Sequence, residues 1–319
     1  MQETMAYNEK VEKILTNINR VLIGKEEIAV LSLTALLAEG HVLLEDVPGV
    51  GKTMLVRALA TSLDCDFRRI QFTPDLLPSD VTGVSIYNPK ELEFEFRPGP
   101  ILGNVVLADE INRTSPKTQS SLLEAMEEKN ITVDGRTIPL SKPFFVMATQ
   151  NPIEYKGTYP LPEAQLDRFL FKLKMGYPGF ADELEMLERT SSNHPIETVE
   201  PVITRDELLN VHEEVRNVYI DRNVQHYIIN LVTNTRSNPS IKLGVSPRGS
   251  IALMRAAKAY AYIQTRDYVL PDDVKYLAPY VLSHRVVLTA EAKYSEMTSE
   301  QIIDSIVKNT HIPIRREFP

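Results

Sequence analysis

The chain has 319 residues, with 35 Lys and Arg against 43 Asp and Glu, for a net charge of −8. With 43% apolar and 24% charged residues it has the material for real cores, which excludes a disordered or collagen-like chain, and its length exceeds one domain of about 150 residues and points to two. The single cysteine, Cys65, excludes an internal disulfide framework and a four-cysteine zinc site, and suits a reducing compartment.

Met1 to Lys10 has no charged-then-apolar leader layout. The most apolar early stretch, Ile28 to Ala38, is interrupted by Ser32 and Thr34 and is too short to span a bilayer. The acidic balance, without a long Lys/Arg run, disfavours nucleic acid as a partner. The expectation is a soluble cytoplasmic protein with no transmembrane segment.

Glu9 to Leu22 places Val11, Ile14, Leu15, Ile18 and Leu22 at helical spacing, and Ile28 to Glu39 reads as a second apolar helix closed by Gly40. His41 to Leu44 is a short strand that runs into the Gly-rich segment Asp46 to Thr53, and Met54 to Ser62 reads as a helix. Val105 to Ala108, Pro143 to Ala148 and Phe169 to Met175 are further buried strands. Strands separated by helices predict an α/β fold: a three-layer αβα core with a mostly parallel sheet. Thr82 to Arg97 alternates around Asn88-Pro89, and Ile131 to Leu140 centres on Asp134-Gly135, so both read as β-hairpin inserts.

Gly176-Tyr177-Pro178-Gly179 reads as a linker. Beyond it the pattern is all-helical: Ala181 to Arg189, Arg205 to Val218, Asn223 to Arg236, Pro247 to Thr265, Pro271 to Ser283 and Ser299 to Lys308. Ser246-Pro247 and Leu270-Pro271-Asp272-Asp273 are helix starts. The expected division is residues 1–178 for an α/β domain and 179–319 for an all-α domain.

Asp46-Val47-Pro48-Gly49-Val50-Gly51-Lys52-Thr53 lies between strand and helix, where a phosphate-binding loop belongs. Gly49 and Gly51 allow the backbone of the loop, Pro48 and Val50 to Met54, to approach phosphate oxygens closely, and several N–H groups with the following helix N-terminus face the anion. Lys52 would reach the β- and γ-phosphates and Thr53 would ligate Mg²⁺. The usual pattern opens with Gly, and here that position is Asp46. Asp109-Glu110, ending an apolar strand, supplies the complement: Asp109 for the Mg²⁺ shell and Glu110 as general base on the attacking water. A guanine-reading Asn-Lys-x-Asp is absent, and a phosphotransferase needs no water-activating Glu beside the metal Asp. The pair therefore favours hydrolysis of ATP to ADP.

Val47 to Thr53, Ala108-Asp109-Glu110-Ile111-Asn112-Arg113, Ala148-Thr149-Gln150-Asn151-Pro152, Leu161 to Phe169 and Ser246-Pro247-Arg248 occur in order. Together they resemble the MoxR-type AAA+ ATPases, from about Ile23 to His284. The resemblance implies an αβα core followed by a helical lid, with nucleotide at their junction. It implies that Asn151 is sensor 1, orienting the attacking water; that Arg168 is an arginine finger reaching the next subunit's site; and that Arg248 is sensor 2. The alternative for Arg168 is a surface arginine paired with Asp167. Ile23 and Gly24 correspond to the adenine contact, although Gly24 also fits a helix cap. Gly249, after Arg248, is unusual in a first helical turn.

By resemblance the chain would form a homo-oligomeric ring, most simply a hexamer. The two hairpins would face its pore and touch a partner, or else be solvent decoration. ATP turnover would drive chaperone-like remodelling, maturation or metal-cofactor insertion of a partner, often a protein with a von Willebrand factor A domain. A nucleotide-gated scaffold with negligible turnover and a DNA-associated motor are the alternatives; Glu110 with Arg168 argues against the first and the acidic balance against the second. Other constellations fail. His212-Glu213 begins a zincin pattern that Arg216 breaks, Gly244 to Arg248 lacks the closing Gly of a nucleophile elbow, and Cys65 has no local partner. His284-Arg285 reads as packing or interdomain pairing.

Overall fold

The structure, a computed structural model, describes residues 8–45, 49–151, 157–190 and 195–312. Helices α1 (Glu9–Val21) and α2 (Glu26–Leu37) precede strand β1 (Val42–Glu45), which leads to helix α3 (Lys52–Ser62). Strand β2 (Phe67–Gln71), the short helix α4 (Pro78–Thr82) and the hairpin β3 (Gly83–Asn88) and β4 (Glu93–Pro98) follow. Then come β5 (Val105–Asp109), α5 (Pro116–Glu128), the second hairpin β6 (Asn130–Val133) and β7 (Arg136–Pro139), β8 (Phe145–Gln150), α6 (Glu163–Leu166) and β9 (Phe171–Leu173). After an irregular segment, 174–179, the chain continues as α7 (Phe180–Thr190), α8 (Arg205–Asn217), α9 (Arg222–Ser237), a strand β10 (Ile241–Leu243), α10 (Pro247–Ile263) and α11 (Pro271–Leu282). Strand β11 (Val287–Leu288), α12 (Ala290–Tyr294) and α13 (Ser299–Asn309) complete it.

Five strands form one sheet in the order β2-β5-β8-β1-β9. Every neighbouring pair in it is parallel. Successive strand residues face opposite sides, and the burial follows this: Val42, Leu44, Val105, Leu107, Phe145 and Met147 join one core, while Leu43, Val106, Ala108, Val146 and Ala148 join the other. Both faces are therefore covered, as an all-parallel sheet requires. The first core continues without a break into α8, α9, α10 and α11, so the C-terminal helices pack on the α/β part through shared apolar contact. Helix α2 is the wall between them: Ile28 to Leu37 is buried all round, as expected of a helix with no polar face.

Three elements escape the sequence pattern. Strand β2 reads Phe-Arg-Arg-Ile-Gln with only Ile70 buried; it is the sheet edge, paired on one side to β5, and its arginines mask the alternation. Helix α5 carries its own start signal, the Ser115 side chain accepting from the Thr118 N–H with Pro116 at the first position. The C-terminal part is not wholly helical, because Ile241–Leu243 pairs antiparallel with Val287–Leu288.

His41, just before β1, ties three elements together. Its Nδ1 accepts from the Val146 N–H at 3.1 Å, which leaves Nε2 to donate to the Met126 carbonyl at 3.3 Å, and its own carbonyl accepts from the Leu170 N–H at 2.7 Å. Burial, with Lys129 and Arg255 nearby, pushes its pKa down to about 4. The unfolded chain thus takes up a proton near pH 6.5 that the folded one refuses until about 4, so stability is full above that window and falls as pH drops through it. His41→Gln should flatten the dependence of denaturant-derived stability on pH between 6.5 and 4; an unchanged slope would show that His41 is not buried in its neutral form.

Candidate active site

The described part of the phosphate loop lies at the carboxyl end of β1. Gly49 and Gly51 have φ of +87° and +93°, a region open to glycine at little cost. Gly51 caps α3 in this left-handed conformation, and a Cβ there would lie 2.9 Å from Leu22 Cδ1. Lys52 and Thr53 open the helix, so its first N–H groups lie at the cleft. Val50 is buried, and Met54 packs on the core beneath the loop. Pro48, with Asp46 and Val47, lies outside the described residues.

Gly49, Gly51, Lys52, Thr53, Met54, Asp109, Glu110 and Asn151 line one cleft of about 370 Å³. The parallel topology explains the convergence: β1, β5 and β8 all end on this edge, the place where open parallel sheets bind ligands. Asp109 Oδ1 accepts from Thr149 Oγ1 at 2.7 Å, and the same hydroxyl accepts from the Glu110 N–H at 2.8 Å. One threonine of β8 thereby sets both acids. Glu110 has φ +58° and ψ +49°, a strained setting for a non-glycine residue that turns its carboxylate away from the strand direction. Asn151, at the end of β8, is buried, and its carbonyl accepts from Asn112 Nδ2 at 3.2 Å.

Two cleft residues were not read from the sequence. Arg69 Nη2 donates to Asp109 Oδ2 at 2.7 Å, and Gln71 Nε2 donates to Glu110 Oε2 at 3.0 Å. Both project from the edge strand β2, and Arg113 Nη1 holds the same glutamate oxygen at 2.9 Å. A divalent ion fits this set: a threonine hydroxyl and one carboxylate beside a phosphate cradle are the hard oxygen donors with which Mg²⁺ supplements substrate phosphates and water.

Arg168 and Arg248 are brought together, but not here. They line a second cavity of about 420 Å³ with His41, Glu127 and Arg285. Arg168 Nε pairs with Glu127 Oε2 at 2.9 Å, and Arg248 pairs with Glu127 Oε1. Arg168 is therefore not the partner of Asp167, which instead holds Arg285 at 2.7 Å. This cavity sits at the amino ends of β1 and β9, beside His41 and Leu170, whereas the phosphate cleft sits at the carboxyl ends. No residue beyond Asn151 is among the described lining of the cleft, so Arg248 faces the second cavity rather than a shared junction with its own phosphate loop.

Ile23 and Gly24 are half-buried in the turn between α1 and α2. Leu22 touches the Gly51 position, and the Asp182 carboxylate of α7 occupies the space where a Gly24 side chain would go. Lys25 Nζ donates to the carbonyls of Met175 and Tyr177 at 2.6 and 3.0 Å, which fastens this turn to the connecting segment. Burial and Asp64 push the Cys65 thiol up to about 12, so it stays protonated and inert. His212 is buried with its pKa lowered by desolvation, and no group of three metal-ligating side chains occurs among the described residues. Among them, no helix is long and apolar enough to cross a membrane.

Comparison with known proteins agrees with this architecture. Residues 41–171 match the ATPase family associated with various cellular activities (AAA), and residues 233–306 match the AAA lid domain. The chain is 63% identical to an uncharacterized protein of Bacillus subtilis, YeaC, over 98% of this chain and 99% of that one. It is 40% identical to the chaperone MoxR1 of Mycobacterium tuberculosis over 95% of this chain and 82% of that one. A crystal structure of a candidate ATPase from Cytophaga hutchinsonii, 41% identical, superposes with a TM-score of 0.90 and covers 96% of this chain and 95% of its own.

Lys52 carries the charge at the mouth of α3. Lys52→Ala should abolish ATP binding in isothermal titration without lowering thermal stability; retained affinity would remove the cleft as the phosphate site.

Proposed function

Because this chain belongs to the MoxR-type AAA+ ATPases, we propose that it hydrolyses ATP at the carboxyl edge of its sheet, with two arginines of a neighbouring copy completing the site. The observation that carries this reading is the separation of Arg168 and Arg248 from the phosphate cleft by the length of the sheet. From His41 to Glu45 alone, β1 covers roughly 13 Å at about 3.3 Å per residue. Two arginines sharing one carboxylate at the far end serve a phosphate that comes from outside the subunit. Head-to-tail contact of this kind closes into a ring, and a hexamer is the proposed assembly. The working division is an ATPase core of residues 1–178 and a lid of residues 179–319.

In the proposed reaction Lys52 and the loop N–H groups hold the β- and γ-phosphates, with the Ile23-Gly24 turn on the adenine side. Mg²⁺, held by Thr53 and Asp109 with substrate oxygens, would neutralise charge between those phosphates. Asn151 orients a water and the Glu110 carboxylate takes its proton as it attacks. Gln71 and Arg113 hold that carboxylate in the state described, so both must release it for catalysis. The neighbour's Arg168 and Arg248 exchange Glu127 for the γ-phosphate, where their charge stabilises the transferring group. Glu127 prevents two arginines from standing unpaired until then.

Turnover would drive chaperone-like remodelling or maturation of a partner protein, and a partner with a von Willebrand factor A domain is the class the family suggests. The β3–β4 hairpin supports a contact surface: Tyr87 packs against Phe94 with ring centroids 5.4 Å apart and the planes tilted by 60°, yet Phe94 and Leu92 are each 73% exposed. Solvent gives no reason to place apolar side chains there.

Glu110→Gln should bind ATP normally and hydrolyse it roughly 10²-fold more slowly or worse; unchanged turnover would remove it from the mechanism. Loaded with ATP, this variant should retain its partner in affinity purification. Arg168→Ala and Arg248→Ala should each be inactive alone and regain activity when mixed with Lys52→Ala subunits, whereas verified mixed rings without activity would contradict a shared site.

A further inference from the structure

The least expected side chain in the molecule is a buried arginine. Arg285, after α11, is 3% exposed at its side chain. Its Nε donates to Asp167 Oδ1 at 2.7 Å, Nη2 donates to the carbonyls of Asp167 at 3.1 Å and Phe169 at 2.7 Å, and Nη1 donates to the carbonyls of Leu170 at 3.2 Å and Val281. Burial draws its pKa down to about 10, and it stays charged. Its neighbour His284 is buried and held neutral by desolvation and by Arg285 itself, so the imidazole adds no charge, and Arg248 is the nearby cation that lowers the Arg285 pKa further. Burying a guanidinium is expensive unless each donor is used, and a leucine would fill the same space without that penalty. Apart from the Val281 carbonyl and His284 Nε2 beside it, which Nη1 also meets, the donors converge on the segment 167–170 that carries Arg168.

Two features of α10 point to the same place. Ser246, at the helix start, does not cap its own helix; its hydroxyl donates to Asp167 Oδ2 at 3.3 Å. Gly249 solves the puzzle of a glycine in the first turn: a Cβ there would press on the Val245 side chain and lie 3.2 Å from Arg285 Cδ. The missing side chain is the passage through which Arg285 reaches the segment. Asp167 is thus held from two directions, by the start of the helix that bears Arg248 and by the end of α11.

We propose that Arg285 is the positioning residue of the arginine pair: it clamps residues 167–170 to the lid so that Arg168 and Arg248 meet the neighbouring subunit's phosphate as one rigid unit, and any shift of the lid moves both. This rests on the reading that the two arginines act on a neighbour's site. Arg285 itself touches no substrate.

The test uses the full-length chain, measuring ATP turnover, oligomer size and mixed-subunit activity. Arg285→Gln should assemble as the unmodified protein does and keep its KM for ATP, with kcat reduced about 10²-fold, the loss expected from misplacing a group by about 1 Å. Added to Arg168→Ala it should lower turnover no further, because both changes remove one unit. Mixed with Lys52→Ala subunits, Arg285→Gln should regain activity as Arg168→Ala does, since the defect falls on the neighbour's site. The inference is overturned if kcat is unchanged, if KM rises in proportion to the loss, or if the Arg168→Ala mixture recovers while the Arg285→Gln mixture does not. If neither mixture recovers, the shared-site reading falls and takes this inference with it. Should Arg285→Gln not assemble, Asp167→Asn, which cuts the clamp from the other side, is judged in the same mixture by the same results.

Discussion

A parallel sheet has two unlike ends, and the organisation of this protein follows from that. All five strands deliver their last residues to one edge, so the phosphate loop after β1, the acids after β5 and Asn151 after β8 meet without any long-range search. The same topology sends the segment before β9 to the opposite edge, beside His41, and with it Arg168, which meets Arg248 there. On the proposed reading, one subunit therefore carries both halves of the chemistry and keeps them apart. Charge is distributed to match. The acids in the cleft are met by Arg69 and Arg113, and the arginines in the second cavity by Glu127, so each cluster is neutralised locally.

The helical part does more than cover the core. It meets the α/β part through continuous apolar contact along α2 and through polar ties at the edges, Lys25 to the connecting segment and Arg285 to residues 167–170. The close-packed contact along α2 and the donors fixed on carbonyls at its ends hold the two parts in register.

What could be read in the sequence was what is local. Gly49 and Gly51 announce themselves because left-handed backbone is a property of single residues, and Lys52, Thr53, Asp109 and Glu110 follow at fixed offsets along a strand-loop-helix unit. The strands buried on both faces were legible as short apolar runs. Strand β2 was not, because an edge strand with Arg68 and Arg69 on it has no such run, and with it went Arg69 and Gln71. Helix α5 was missed despite Ser115-Pro116, the same kind of start signal that marked α10. Glu127 had no local signal, and His284-Arg285 was legible only as packing or interdomain pairing: Arg248 lies 121 positions from Glu127 and Asp167 lies 118 from Arg285, and only the folded topology reveals that these residues are neighbours. The placement of Arg248 shows the same limit, since its spacing identifies a helix start but not which end of the sheet that helix faces.

Helix α2 buries every residue from Ile28 to Leu37, whereas the β3–β4 hairpin stands largely in solvent. These are opposite evolutionary regimes within one chain. A stretch without a water-facing side takes only small polar groups such as Ser32 and Thr34, the latter donating to the Val30 carbonyl, so folding itself restricts what can stand there. The hairpin's exposed residues are free of that filter, so under the proposed reading its partner-facing surface can change without disturbing the core beneath.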